Sequence, residues 1–153
     1  MKYTIKPLTS LHSKSVRDIF HEVFHEEDWT ELHWIWRYRS KSESVGVFNS
    51  TGELLGFALI LQYSRKLKYL GIHPTYQKFG LGSMLLRRVL KVCQDMASSL
   101  ALVPANQIVE AWYYRHGFRI SKYFRATDNT WWSIMNYHTR NTRSKGRPLL
   151  GGL

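Results

Sequence analysis

The sequence predicts an α/β layered fold with a mixed sheet, and three observations carry that reading. Short apolar runs, stopped by Pro, Gly or Asn, alternate with longer segments whose apolar residues recur every three or four positions. In chain order the segments read strand, helix, helix, three strands, helix, strand, helix, two strands, which suits a sheet covered by helices. The chain has 153 residues, 44% hydrophobic and 14% aromatic. That is enough to bury one core, so residues 1–138 are expected to form a single domain followed by a loose basic tail, 139–153.

Lys2 to Leu8 alternates as an edge strand, with Tyr3 and Ile5 on one face and Pro7 near its end. Ser13 is the expected N-cap of a helix whose apolar positions are Val16, Ile19, Phe20, Val23 and Phe24. Asp18, Glu22 and Glu26 fall toward its other side. After a break at Glu26-Glu27-Asp28, a second helix is expected from Thr30 to Tyr38, with Leu32, Ile35 and Trp36 inward. Val45 to Phe48 reads as a strand, Asn49 to Gly52 as a hairpin turn, and Glu53 to Tyr63 as a strand apolar on both faces.

Ser64-Arg65-Lys66 turns the chain into a strand from Leu67 to Ile72, stopped by Pro74. Gln77-Lys78-Phe79-Gly80-Leu81-Gly82-Ser83 follows, and then a helix with an apolar stripe at Met84, Leu85, Val89, Val92, Cys93 and Met96. Leu100 to Val103 is the next strand. Asn106 begins a helix from Gln107 to His116 that Gly117 ends. Phe118 to Phe124 and Thr130 to His138 are the last strands, joined at Asp128-Asn129.

Strand, glycine loop and helix N-terminus together form an anion site. The first-turn N–H groups have no partner in the helix, the helix dipole is positive there, and glycines let the backbone approach the ligand. Lys78 adds a cation. The nucleotide patterns G-x-x-x-x-G-K-[ST] and G-x-G-x-x-G are both absent. The segment Gln77-x-x-Gly80-x-Gly82 instead resembles the acyl-CoA pyrophosphate loop, Q/R-x-x-G-x-G/A, of the GNAT acetyltransferase superfamily. A second stretch resembles the same family's later segment: Asn106 opens a helix, Tyr113 follows seven residues on, and Gly117-Phe118 closes it. Val109 departs from the small residue usual there.

The resemblance covers roughly residues 2 to 138 and implies a three-layer fold with a central mixed, mostly antiparallel sheet flanked by helices. It implies an N-acetyltransferase moving an acetyl group from acetyl-CoA to a primary amine. Gln77, Lys78, Phe79, Gly80, Leu81, Gly82 and Ser83 would hold the pyrophosphate, and Leu70, Gly71 and Ile72 would pair with the pantetheine arm. Asn106 would stand beside the pantetheine or the departing sulfur, and Tyr113 would be the general acid for the CoA thiolate. The strand before the loop carries no acid, so the general base is a water relay or Glu26, Glu27 or Asp28. That acidic junction, with Trp29 and the neighbouring Trp34, Trp36 and Tyr38, would bind a cationic acceptor. A polyamine, an aminoglycoside-like molecule, or a lysine or N-terminus of a protein all fit.

The net charge is +11, unevenly spread. Six of eleven acids fall between residues 18 and 31, whereas Arg65 to Lys91 holds seven Lys or Arg and no acid. Such asymmetry implies one surface that attracts anions and another that attracts cations. It also leaves open a second function class. The charge, the aromatics and the tail of Arg140, Arg143, Lys145 and Arg147 could contact nucleic acid, although no nucleic-acid motif is present. His12, His21, His25 and His33 fit no zinc spacing, so no metal is expected. The lone Cys93 forms no internal disulfide. With neither a signal peptide nor a membrane-spanning run, a soluble cytoplasmic protein is expected, and a homodimer is compatible with the sequence.

Overall fold

The computed structural model describes residues 2–25 and 29–139. By internal packing the chain forms two compact units, divided after Leu90. In the first unit, β1 (Thr4–Pro7), β2 (Val45–Phe48), β3 (Leu54–Ile60) and β4 (Leu67–Ile72) form an antiparallel sheet in the order β1-β2-β3-β4. Every residue of β2 and β3 is buried, as the unbroken apolar run in β3 requires of an inner strand. Helices α1 (Ser13–Val23) and α2 (Trp29–Arg37) bury Val16, Ile19, Phe20, Leu32 and Ile35 in the same cluster as Phe57, Leu59 and Tyr69 of the sheet.

In the second unit, β5 (Leu100–Leu102), β6 (Arg119–Arg125) and β7 (Trp131–Tyr137) form an antiparallel sheet in the order β5-β7-β6. Helix α4 (Gln107–Arg115) joins β5 to β6. Leu100, Leu102, Phe118 and Met135 are buried, and Phe118 packs between Tyr113 and Tyr137 at ring distances of 5.3 and 5.5 Å. The division between the units falls within α3 (Leu81–Asp95).

Three local expectations are corrected. Ser13 is not a cap. A 3-10 turn, Ser10–His12, precedes α1, and Thr9 caps that turn by accepting from the Leu11 N–H at 3.3 Å while His12 Nδ1 accepts from the Thr9 N–H at 2.9 Å. The apolar stripe of α3 ends at Cys93. Met96 lies beyond the helix and is exposed, because the chain turns at Ala97 (φ 52°) and the Ser98 N–H bonds the Cys93 carbonyl at 2.9 Å. The glycine loop is also shorter than expected: Pro74–Phe79 forms a 3-10 turn, and α3 opens at Leu81, with Gly82 and Ser83 inside its first turn.

Candidate functional site

In the first unit the candidate residues gather where β4 runs into α3. β4 is an edge strand, with no strand partner on its outer side among the described residues. Antiparallel pairing alternates, and the His73 N–H bonds the Leu55 carbonyl at 2.8 Å. Tyr69 and Gly71 therefore direct their backbone groups toward β3, whereas Leu70 and Ile72 direct theirs outward. The Ile72 carbonyl is already used: Gln77 Nε2 donates to it at 3.0 Å. That hydrogen bond folds the 3-10 turn back onto the strand and gives Gln77 a local structural role. The outward groups left at the edge are the Leu70 N–H and carbonyl and the Ile72 N–H.

Gly80 has φ +73°, a left-handed conformation that costs other L-residues energy, and it reverses the chain from the 3-10 turn into α3. The first bond closing the new helix runs from the Met84 N–H to the Gly80 carbonyl at 3.1 Å. The N–H groups of Leu81, Gly82 and Ser83 thus lie in the first turn, where an α-helix offers its donors no internal partner. Leu81 itself is fully buried and anchors the turn, while Lys78 and Phe79 stand exposed beside it. Gly71 is a close-approach position, since a Cβ there would meet Phe24 at 2.9 Å. The end of α1 is pressed against β4 at that point.

A cleft of 270 Å³ also lies in this unit, lined by Asp18, His21 and Glu22 of α1, Trp29 at the start of α2, and His73, the first residue after β4. Of these only Trp29 was a sequence candidate. Asp18 and Glu22 read as a solvated helix face, and only the packing of α1 on β4 brings them near the strand end. The hint in the sequence was their spacing of four, which puts both on one helix face. Asp18 is held by Lys14 at 2.9 Å, and Trp29 lies against His21 and Arg17 at 6.0 and 5.3 Å. His73 Nδ1 accepts from the Thr75 N–H at 3.1 Å, so Nε2 carries the proton when the ring is neutral. Trp34 and Tyr38 lie against each other at 5.2 Å with their rings tilted by 48°, both exposed, and Trp36 packs beneath Arg39 at 3.8 Å. Glu26, Glu27 and Asp28 lie outside the described residues. No acid stands on β4, but Glu31 of α2 reaches Lys68 at 3.5 Å.

In the second unit, Asn106 is a true N-cap. Its backbone is extended and its Oδ1 accepts from the Val109 N–H at 2.9 Å, so the side-chain carbonyl is engaged. Tyr113 lies two turns along the same face of α4, about 10 Å away by helix rise. It is 8% exposed, with its ring edge-on to Trp112 and Phe118. Burial pushes its phenol well above the ordinary tyrosine value. Gly117, at φ +99°, turns the chain out of α4 and sets Phe118 in the core. A second cleft, of 340 Å³, opens beside Asn106 and is lined also by Glu110, Tyr123, Trp131, Trp132 and Ser133. Ser133 Oγ donates to Glu110 Oε2 at 2.7 Å and fixes that carboxylate at the wall.

Solved structures share this architecture. Ard1 from Thermoplasma volcanium is similar at TM-score 0.73 and 20% identity, over 91% of this chain and 99% of that one. The ribosomal-protein-S18-alanine N-acetyltransferase from Escherichia coli is similar at TM-score 0.74 and 20% identity, over 90% and 94%. The PaiA N-acetyltransferase from Thermoplasma acidophilum, in complex with coenzyme A, is similar at TM-score 0.65 and 19% identity, over 90% and 99%. At these identities the likeness is one of fold. No match is found among curated proteins. The model of the acetyltransferase (GNAT) family matches residues 9–118, and the chain belongs to that family.

Proposed function

We propose that this protein is an acetyl-CoA-dependent N-acetyltransferase acting on a cationic primary amine. The observation that carries the reading is the β4–α3 junction, where a strand edge with no strand partner among the described residues leads through Gly80 into a helix N-terminus rich in donors. The outward Leu70 and Ile72 groups suit an amide-bearing arm such as pantetheine, and one of their N–H groups would polarise the thioester carbonyl. The N–H groups of Leu81, Gly82 and Ser83 suit a pyrophosphate, with Lys78 as counter-charge. A structural relative with coenzyme A bound supports the same reading.

The acceptor enters as an ammonium and must lose a proton before it can attack. Asp18 and Glu22, with the ring of Trp29, would receive that cation in the described cleft. It would take the place of Lys14, now on Asp18, and of Arg17, now over Trp29. Glu26, Glu27 and Asp28 stand next in the chain. The first proton passes to a water relay or to one of these carboxylates. The neutral nitrogen attacks the carbonyl carbon, a C–N bond forms and the C–S bond breaks, and the second proton leaves the nitrogen by the same route. The leaving thiolate takes a proton, the role that the family resemblance implies for Tyr113, and the donor regains one from solvent. An ordinary tyrosine already holds its proton at neutral pH, and burial raises the Tyr113 phenol further.

Calorimetric titration with acetyl-CoA tests the cofactor half, with a Gly82→Trp variant that fills the first turn of α3. Binding by the native protein that disappears in the variant is the expected result. Absence of binding by the native protein would remove the enzymatic reading altogether.

A further inference from the structure

We propose that β6 and the β6–β7 hairpin form a binding surface for single-stranded nucleic acid. The inference rests on four features of the second unit.

First, β6 is the edge strand of its sheet, and all seven of its residues are exposed. An edge so open invites pairing with another chain. Second, from Ala111 to Thr127 the sequence contains Arg115, Arg119, Lys122 and Arg125 and no acid. Of the two flanking acids, Asp128 in the hairpin turn accepts from the Thr130 N–H and hydroxyl at 3.0 and 2.6 Å. Glu110 accepts from Ser133 Oγ at 2.7 Å at the wall of the neighbouring cleft. Third, large aromatics share the edge. Tyr123 is 59% exposed and Trp131 64%, and Arg125 lies directly across from Trp131 with its guanidinium 5.5 Å from the ring. Arg119 likewise lies over Tyr114 at 3.9 Å. By register Tyr123, Arg125 and Trp131 share one face of the hairpin and Arg119 and Lys122 the other. A strand lying along the open edge of β6 would meet cations from both faces and rings from one, phosphates on the former and stacked bases on the latter.

Fourth, the charge pattern argues against the simplest alternative. Antiparallel pairing of β6 with a second copy, centred on Lys122, would set Lys122 against Lys122 and Arg119 against Arg125. Like charges directly opposite destabilise such a pair. An acidic peptide would satisfy the cations but leaves the exposed rings of Tyr123 and Trp131 unexplained. The 340 Å³ cleft bounded by Tyr123, Trp131 and Trp132 gives a base a recess at the hairpin.

The test is fluorescence anisotropy of a labelled oligouridine with the full chain, repeated across a range of salt. The native protein is expected to bind at low salt, with log K falling against log[salt]. Lys122→Ala combined with Arg125→Ala should reduce that slope by about 1.4, because each phosphate neutralised on a single strand adds roughly 0.7 to it. Tyr123→Ala combined with Trp131→Ala should weaken binding about thirtyfold or more and leave the slope unchanged. Arg119 is kept, because its guanidinium bonds the Tyr114 and Phe118 carbonyls at 3.1 and 2.8 Å and its removal would disturb α4. Thermal unfolding of each variant checks that the fold is retained.

Three outcomes would overturn the proposal. They are no binding by the native protein at low salt, full affinity and slope in both double variants, and displacement of the oligouridine by polyglutamate as readily as by unlabelled RNA. Equal affinity for a duplex of the same charge would overturn its single-strand part.

Discussion

Burial raises the Tyr113 phenol and so makes it a weaker acid than an exposed tyrosine. Its value to a departing thiolate therefore rests on placement rather than on acidity. Tyr113→Phe is expected to lower kcat by about a hundredfold, the lower end of what a positioned acid contributes, with calorimetric affinity for acetyl-CoA unchanged. A drop in affinity equal to the drop in kcat would instead give the phenol a binding role. The raised phenol also has a stability consequence. Below the unfolded-state value, about 10, both states hold the proton and its effect on stability is nil. Above it the unfolded chain ionises first, so stability falls as pH rises toward the higher folded value. Alkaline unfolding of the native protein should therefore be steeper above about pH 10 than that of Tyr113→Phe. The sequence picks out Tyr113 over Tyr114 by its spacing from Asn106, and the structure buries the first and exposes the second.

At the scale of elements, the helices and strands were legible wherever hydrophobic period decides. β4 runs from Leu67 to Ile72 as its apolar run and Pro74 predict, and β2 and β3 lie where their runs place them. Boundaries set by backbone bonds were less legible. A Ser before an apolar stripe is an ordinary cap signal, but here Thr9 and His12 cap a turn that leads into α1. Thr9→Ala should cost about 1 kcal/mol, and Ser13→Ala a few tenths at most, measured by denaturant unfolding. Equal costs would restore Ser13 as the cap. The end of α3 shows the same limit. No glycine announces the stop, because an alanine takes the left-handed position at Ala97.

At the scale of the whole molecule, the excess of cations acts on the two substrates in opposite directions. A protein of net charge +11 attracts the polyanionic acetyl-CoA and repels a cationic amine, and only a local acidic cleft offsets the repulsion. Rising ionic strength is therefore expected to lower kcat/KM for acetyl-CoA and to raise it, or leave it unchanged, for a cationic acceptor. Asp18→Asn with Glu22→Gln should raise KM for that acceptor several-fold while sparing kcat, in steady-state assays with spermidine and with a lysine peptide. An unchanged KM for both would move the acceptor away from this cleft.

The sequence by itself determined the order of elements, the family resemblance, and the residue types at the loop and at α4. Those depend on local period, on glycine's access to positive φ and on fixed spacing along one helix, all of which are written in neighbouring residues. Only tertiary structure decided which backbone groups of β4 point outward, because the alternation is set by pairing with β3. It also decided that Gln77 is tied to the Ile72 carbonyl, and that Asp18 and Glu22 share a cleft with His73. These facts join segments far apart in the chain, and they follow from how helices and strands pack on one another.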